Sequence, residues 1–304
     1  MRLHKTNIYA VYMLNSMQSS LSEIIHLNKS KTFPMNIQIN TIIQPVPNQQ
    51  NLKDVSIIIP AYNEEKRIIR TLDEISDFIK RENLNWEVIV AVDGNDRTID
   101  IVNSYENSYY TIKANHSVNR EGMGGAIKRG ILASSGDLIF LMDADGSATL
   151  TNLIRSISSL ELESYDIINF DRYSTKENFI PFKRWFSSRI FNIILRGIFR
   201  IEVNDTQCGY KIIRRDKIEP FLRDITVSDA FFLSALFIYS KKIKLRTIEI
   251  PIKYHHTKGS KFNVLMTGLS YIITITAFKL KNSEFFEYVP KSFKDIYYQK
   301  LKYL

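Results

Sequence analysis

The sequence predicts an α/β fold, with a mostly parallel sheet that is covered by helices on both faces. Val55–Ile59 is a short, β-branched run that ends at Pro60, as expected of a buried strand. Apolar side chains at helical spacing follow over residues 68–79. A strand, a helix and another strand in this succession favour parallel pairing, because parallel strands need a crossover connection that is usually a helix.

The alternation continues along the chain. Trp86–Val92 is predicted as a second strand, and Thr98–Tyr105 as the helix after it. Gly125–Ser134 opens a further helix, and Leu138–Met142 is predicted as a third strand. Ligands of such sheets bind beyond the carboxyl ends of the strands, so residues that follow the strands are expected to share one edge. The segments expected at that edge are Ala61–Glu64, Asp93-Gly94 and Asp143-Ala144-Asp145.

The charge of the chain indicates an anionic partner. The 304 residues carry a net charge of +9, with an isoelectric point near 9.3. Such an excess suits nucleic acid, a phospholipid surface or a phosphorylated substrate. We expect no nucleic acid, because no recognition motif occurs and the basic residues cluster around carboxylates and apolar helices. Cys208 is the single cysteine, so no internal disulfide is expected.

Three regions are predicted. Residues 1–53 form a polar extension without a secretory signal, residues 54–261 form the folded domain, and residues 262–304 form an amphipathic helix and tail. Phe262–Phe278 carries no charge but is barely long enough to span a membrane, which takes about 17–25 residues. Its apolar residues gather on one helical face, which favours an amphipathic helix lying against lipid or a partner. A core or dimer helix and a true membrane span are the alternatives.

The Asp143-Ala144-Asp145 segment predicts a metal site. In an extended segment, residues two apart point to the same side, so the two carboxylates converge. Paired hard oxygen ligands suit Mg²⁺ or Mn²⁺, which usually shares its remaining positions with water and substrate phosphates. The alternative is a solvated acidic turn, since aspartate is common where strands end.

Four segments in a set order resemble a known family. They are Ser56–Glu65, Asp143–Gly146, Asp205–Lys211 and Gly259-Ser260-Lys261. Together they resemble the family-2 glycosyltransferases of the GT-A fold, and most of all the dolichyl-phosphate glucosyltransferases and mannose synthases. The resemblance implies a Rossmann-like GT-A domain. It also implies an inverting, metal-dependent transfer of one hexose from UDP-glucose or GDP-mannose to a polyprenyl phosphate.

The resemblance also implies roles for single residues. The segment from Pro60 to Glu64 would wall the nucleotide pocket, and Asp93 is the best candidate for reading the base, with a helix cap as the alternative. The Gly-rich stretch that follows Arg120 has Met123 where the family has lysine. The missing positive charge near the diphosphate would come from Arg120 or Lys128.

The acceptor decides which further side chains are needed. A phosphate monoester has a second pKa of about 6, so a lipid phosphate is already an anion and needs a cationic cradle. Lys211, Arg214, Arg215, Lys258 and Lys261 are the candidates for that cradle. A sugar hydroxyl would need a carboxylate base instead, and Asp229 is the candidate, with a helix cap as its alternative role.

The predicted site has three sets of members. The catalytic residues are Asp145, Asp229 and Lys261; the metal ligands are Asp143 and Asp145; the substrate-binding residues are Pro60, Ala61, Tyr62, Glu64, Asp93, Arg120, Gly122, Asp143, Gln207, Lys211, Arg214 and Ser260. The Gln207–Lys211 run favours a polyprenyl phosphate acceptor. The alternatives are a transferase that elongates a polysaccharide or lipid-linked glycan, and a sugar-nucleotide binding protein without catalysis.

The last expectations concern the membrane. Trp185–Arg200 places Arg189, Arg196 and Arg200 on a similar helical face among large apolar residues, which is typical of an interfacial helix. Asn204-Asp205-Thr206 is a glycosylation sequon inside the predicted acceptor segment. We therefore expect a membrane-associated protein whose catalytic domain stays unglycosylated on the cytoplasmic face. A homo-oligomer is possible.

Overall fold

The computed structural model describes residues 55–105, 111–157, 164–175, 177–255, 274–280, 283 and 287–292. All of them belong to one compact unit, Asp54–Ile157 with Glu161–Leu304. The predicted extension 1–53 and the segment Gly259-Ser260-Lys261 lie outside the described residues. The predicted domain boundaries at residues 53 and 261 therefore stay predictions.

Seven strands form one sheet among the described residues. They are β1 (Val55–Tyr62), β2 (Glu87–Asp93), β3 (Thr111–His116), β4 (Leu138–Leu141), β5 (Ile167–Asp171), β6 (Lys211–Arg214) and β7 (Thr247–Pro251). Their order across the sheet is β3-β2-β1-β4-β6-β5-β7. Only β6 runs antiparallel to its neighbours β4 and β5, and the other pairs are parallel. The predicted α/β fold with a mostly parallel sheet is confirmed.

Helices connect these strands. They are α1 (Ile68–Arg81), α2 (Thr98–Asn103), α3 (Gly122–Ala133), α4 (Leu150–Ile157), α5 (Phe182–Phe199), α6 (Arg215–Leu222) and α7 (Phe231–Lys242). The chain moves outward through β1, β2 and β3 and then returns past β1 to β4. With right-handed crossovers, this reversal puts α3 on the opposite face from α1 and α2. In agreement, α1 packs near α4, whereas α3 packs near α7.

Two elements differ from the prediction. Strand β3 was not expected, because Thr111–His116 is a mixed polar segment at the edge of the sheet and lacks the apolar run of a central strand. The predicted third strand is therefore β4. Helix α3 begins three residues before the expected Gly125, at Gly122. The glycines at its start are typical of a loop, but hydrogen-bond acceptors from other segments bind the first N–H groups of the helix.

The core joins distant parts of the chain. Phe231 of α7 packs against Phe278, with ring centroids 5.3 Å apart, and Phe278 also meets Phe199 of α5 at 6.1 Å. Ile275 and Phe278 are buried, so the described end of the predicted lipid-facing helix packs against protein. Residues 262–273 lie outside the described residues, and a lipid contact there stays a prediction. None of the described helices has both the length and the hydropathy that a membrane crossing requires.

A buried ion pair fastens the chain before β6 to β5. The guanidinium of Arg172 donates to both carboxylate oxygens of Asp205, at 2.8 Å each, and both side chains are buried. The side chain of Asn169 donates to the backbone oxygen of Asp205 at 3.0 Å. The backbone N–H of Asp205 donates to Glu249 of β7 at 2.9 Å. The segment is thereby held from β5 and β7 together.

This pair predicts a measurable contribution to stability. Replacing Arg172 by Met leaves the buried carboxylate of Asp205 without its partner. The loss of one partner from a buried ion pair typically lowers the free energy of unfolding by about 3–5 kcal/mol. Lys253→Met is the control, because Lys253 and Glu177 are 61% and 70% exposed in their pair, and exposed pairs contribute about 1 kcal/mol or less. Urea unfolding followed by circular dichroism measures both. Equal losses in the two variants would contradict the assignment.

Candidate active site

The carboxyl ends of the parallel strands form one edge of the sheet. Because β6 is antiparallel to β4, it begins at that edge, where Lys211 pairs with Leu141. Residues 207–210 therefore reach the edge from the opposite direction and lie beside Asp143. The segments after β1, β2 and β4 also begin at this edge, because β1 pairs in parallel with both β2 and β4.

Asp143 and Asp145 form the centre of this edge. Burial raises the pKa of Asp143, and the negative charge of Asp145 raises it further, to about 6. Asp145 accepts a hydrogen bond from the backbone N–H of Ser147 at 3.0 Å and another from its hydroxyl. A cation placed beside the two carboxylates would favour the ionised form of Asp143.

The backbone of Gly209 closes one side of Asp143. A Cβ atom built on Gly209 would lie 1.9 Å from one carboxylate oxygen of Asp143 and 2.6 Å from the other. Any side chain at this position would therefore displace the carboxylate. The glycine in the Gln207–Lys211 run is required by this close approach.

The donor set fits a hard divalent ion. Among the described residues, no third His, Cys, Asp or Glu joins the two aspartates in a ready-made metal cluster. A Mg²⁺ or Mn²⁺ ion commonly uses one or two carboxylates and completes its shell with water and phosphate oxygens. Glu64 is committed elsewhere, because both its oxygens accept from Arg67, at 2.7 and 2.5 Å. Burial raises the pKa of Glu64.

The loop after β1 is joined to the loop after β2. The backbone N–H of Glu64 donates to Thr98 at 2.9 Å, and that of Glu65 donates to Asp96 at 3.1 Å. Asp96 also accepts from the backbone N–H of Thr98 at 3.0 Å and so caps α2. Asp96 was not among the predicted site residues, although an aspartate shortly before a helix is a capping signal.

The predicted nucleotide wall presents one exposed side chain. Ala61 is buried and Pro60 is partly buried, so they can contribute mainly through the backbone. The ring of Tyr62 is 46% exposed and lies under the guanidinium of Arg120, 4.2 Å from the ring centroid. Tyr62 and Arg120 therefore meet at this edge of the sheet.

Asp93 is held by internal partners. One carboxylate oxygen accepts the backbone N–H groups of Glu121 and Gly122, at 2.9 and 3.1 Å. The other accepts from Arg129 at 2.9 Å. The buried carboxylate caps the start of α3, and the capping role is the one this geometry supports. Arg129, which no sequence signal singled out, also binds Glu121 at 2.6 Å.

The Gly-rich stretch is bound to the loop before α7. The backbone N–H groups of Gly124 and Gly125 donate to the carbonyl oxygen of Ser228. Gly122 has a φ of 76°, and a Cβ there would lie 2.6 Å from the same oxygen. These N–H groups are therefore occupied. Lys128 also turns inward and donates to the carbonyl of Ile225, which leaves Arg120 as the candidate for the diphosphate.

Two predicted acceptor cations are misplaced. Lys211 is fully buried and donates to Asn169 and to the carbonyl of Cys208, so it cannot reach a lipid phosphate. Burial lowers the pKa of Lys211 to about 8. Arg214 pairs with Leu138 at the start of β4, at the opposite edge of the sheet, because β6 runs antiparallel. Both predictions were wrong.

The remaining predicted cations divide between the far edge and the undescribed chain. Arg215 follows Arg214 and donates to the carbonyl of Gly136 at 2.7 Å. Lys258, Ser260 and Lys261 lie outside the described residues. Arg184 was missed, although its positive charge acts on Asp143 and lowers the pKa of that carboxyl.

Asp229 and Gln207 each keep a buried polar atom without a partner among the described residues. Asp229 accepts the backbone N–H of Phe231 through one oxygen, at 3.1 Å, and its other oxygen is unpaired. Burial raises the pKa of Asp229 to about 6. The side-chain nitrogen of Gln207 is likewise unpaired. Buried polar atoms are rarely left unpaired, so both residues are candidates for contact with a ligand.

The Gly209 contact predicts the effect of one methyl group. Gly209→Ala should displace Asp143 and weaken Mn²⁺ binding by about tenfold or more, because one of the two carboxylates leaves its position. Gly197→Ala is the control, since a Cβ there meets nothing within 4 Å and alanine favours a helix. Titration followed by Mn²⁺ electron paramagnetic resonance measures both affinities. Unchanged Mn²⁺ binding in Gly209→Ala would contradict the contact.

Two relatives show how far the similarity extends. A dolichyl-phosphate beta-glucosyltransferase of Trichomonas vaginalis is 28% identical over 279 residues, which cover 84% of this chain and 85% of that protein. The dolichyl-phosphate beta-glucosyltransferase of Homo sapiens is 25% identical over 253 residues, which cover 78% of each chain.

Solved structures share the fold. The mannosyl-3-phosphoglycerate synthase of Rubrobacter xylanophilus has a TM-score of 0.57 at 16% identity, over 79% of this chain and 80% of that one. The glucosyl-3-phosphoglycerate synthase of Mycobacterium tuberculosis, solved with Mn²⁺, UDP and phosphoglyceric acid, has a TM-score of 0.52 at 17% identity, over 76% and 79%. The predicted GT-A fold is confirmed.

The model of the family "Glycosyl transferase family 2" matches residues 56–222, more than half of the chain. This chain belongs to glycosyl transferase family 2 and is a glycosyltransferase.

Proposed function

We propose that the protein transfers one hexose, with inversion, from a nucleotide diphosphate sugar to dolichyl phosphate or a related polyprenyl phosphate. The main support for this proposal is the carboxylate pair of Asp143 and Asp145 at the carboxyl edge of the sheet, where Asp143 lies against Gly209. Relatives named dolichyl-phosphate beta-glucosyltransferase support glucose as the sugar and the lipid phosphate as the acceptor. UDP-glucose is therefore the donor we favour over GDP-mannose.

The carboxylate pair accounts for departure of the nucleoside diphosphate. A divalent ion held by Asp143 and Asp145 would supply Lewis-acid stabilisation of the charge on the departing phosphate. Gly209 keeps Asp143 aimed at the edge, and the two donors from Ser147 keep Asp145 in place. Arg120 adds a positive charge on the nucleotide side, where such fixed charges stabilise the transition state.

Arg184 is the residue we assign to the phosphate of the acceptor. It is partly exposed at the start of α5, and its charge acts on Asp143. The phosphate monoester is already ionised at neutral pH, so a nearby cation positions it and no base is needed to activate it. Arg172 has a similar effect on Asp143, but it is buried in its pair with Asp205.

A second candidate acceptor is a sugar hydroxyl, as in the elongation of a glycan. It is favoured by the unpaired buried oxygen of Asp229 and by its raised pKa of about 6. A general base works best with a pKa near the working pH, and burial moves Asp229 in that direction. The segment of Asp229 packs against Gly122, which places it at the same edge.

We also propose that α5 binds the membrane surface. Phe182, Trp185, Phe186, Ile190 and Ile193 are exposed at helical spacing, and Phe182 and Ile193 are 72% and 65% exposed. Such an apolar face beside arginines suits the boundary between lipid head groups and acyl chains. Phe191 and Leu195, which also belong to α5, are buried in the core and do not join this face.

The first test of this function is a product assay. The protein, Mn²⁺ and dolichyl phosphate are incubated with UDP-glucose or GDP-mannose, and the lipid product is identified by mass spectrometry. We expect dolichyl phosphate glucose. Asp145→Ala and EDTA should each lower the rate by a hundredfold or more, since ion and ligand act together, and Arg184→Ala should raise the KM for dolichyl phosphate. Full activity in EDTA, or product on a sugar hydroxyl only, would contradict the proposal.

The membrane proposal is tested by flotation with vesicles that contain phosphatidylglycerol. Phe182→Ser together with Ile193→Ser should weaken binding by about tenfold or more, because each side chain loses its apolar burial in lipid. Leu132→Ser together with Ile243→Ser is the matched control, since these residues are also exposed but lie on other helices or their ends. Equal binding by both double variants would rule out α5 as the docking face.

The cytoplasmic placement of the active site stays a prediction. The amide nitrogen of Asn204, which would carry a glycan, donates to Glu249 at 2.8 Å, and its oxygen accepts from Arg196 at 2.6 Å. A glycan would break the first of these contacts. Protease should therefore digest the protein in inverted vesicles and spare it in sealed right-side-out vesicles, and the reverse pattern would contradict the prediction.

A further inference from the structure

The contact between Arg120 and Tyr62 covers an aromatic surface at the nucleotide end of the site. The guanidinium carbon of Arg120 lies 4.2 Å from the centre of the Tyr62 ring. Tyr62 is the last residue of β1, and its ring is 46% exposed. A half-exposed aromatic ring at the ligand-binding edge of a parallel sheet is a surface on which a nucleobase can stack.

A hydrogen-bonded loop presents Arg120 to that ring. The Ser117 hydroxyl donates to the carbonyl of Asn119 at 2.8 Å and lies 3.1 Å from a carboxylate oxygen of Glu121. Glu121 is in turn bound by Arg129, which also holds Asp93. The residue between Asn119 and Glu121 is therefore carried on a fixed loop, and its guanidinium is placed over Tyr62 by the fold.

Arg120 is also the cation of this region that can change partners. Arg129 is bound to Asp93 and Glu121, and Lys128 is bound to the carbonyl of Ile225. Within the described chain, the guanidinium of Arg120 pairs with no carboxylate and lies over the Tyr62 ring. An exposed cation–π contact of this kind changes an equilibrium constant by only about two- to fivefold, so a ligand can replace it.

We propose that Arg120 and Tyr62 form a latch over the nucleobase end of the donor site. In the free protein the guanidinium covers the ring face. When the donor binds, the base takes that face, and Arg120 turns to the diphosphate, where it supplies the positive charge absent at Met123. This latch rests on the proposed function, because it takes the ligand to be a nucleoside diphosphate sugar.

The latch predicts opposite changes for two probes of the same site. In Arg120→Ala, uridine should bind about two- to fivefold more tightly, because no cation competes for the ring. UDP with Mn²⁺ should bind about tenfold more weakly, because a charge-assisted contact to the diphosphate is lost. Guanosine and GDP are measured in parallel, and Arg223→Ala, an exposed arginine after α6, is the control with the same change of charge.

Ligand-observed NMR for the nucleosides and calorimetry for the diphosphates give the affinities. Tighter nucleoside binding together with weaker diphosphate binding in Arg120→Ala alone supports the latch. Nucleoside affinity that is unchanged or lower, or diphosphate affinity that is unchanged, overturns the latch while leaving the proposed donor site intact. Failure of the unmodified protein to bind either UDP or GDP would overturn the proposed function, and the latch with it.

Discussion

The candidate site depends on one buried ion pair, between Arg172 at the end of β5 and Asp205 in the segment before β6. The bidentate contact at 2.8 Å fixes Asp205 inside the protein, and Glu249 of β7 accepts its backbone N–H. Four residues later, Gly209 touches the carboxylate of Asp143. The ion pair therefore links the position of the Asp143 carboxylate to the pairing of β5, β6 and β7.

The same arrangement sets the charges below the site. Arg172 and Lys211 lie within the protein beneath the carboxylate pair, and both lower the pKa of Asp143. Burial and Asp145 act in the opposite direction and prevail, so the pKa stays near 6. A divalent ion would shift this balance towards the ionised pair. In the proposed site, the buried cations support the carboxylate pair, and Arg184, which is more exposed, would meet the phosphate of the acceptor.

Much of the central fold could be predicted from the sequence, because its signals are local. The strands β1, β2 and β4 are apolar runs followed by turn residues. Because these strands are parallel, the acidic residues that follow them lie at the same edge of the sheet. Edge strand β3 has no such run and was missed. The start of α3 was misplaced because its capping groups, Asp93 and the carbonyl of Ser228, are distant in sequence.

The errors in the site have a similar cause. A lysine in a motif gives no sign of whether it faces a ligand or the core, and Lys211 proves to be buried against Asn169. Arg214 was a candidate because a lipid phosphate needs nearby cations, but the antiparallel direction of β6 carries it to the far edge of the sheet. Arg120, by contrast, lies in the loop after the parallel strand β3, and it meets Tyr62, the last residue of β1, at the edge of the sheet.

In the proposed function, Asp143 and Asp145 bind a divalent ion that in turn binds the diphosphate of the donor. Anomalous diffraction at the manganese edge, from crystals grown with Mn²⁺ and UDP, locates that ion. We expect one strong peak within coordination distance of both the aspartate pair and a phosphate oxygen. UDP bound at this edge without a manganese peak beside the aspartates, or a peak bound only to other residues, would rule out the proposed metal site.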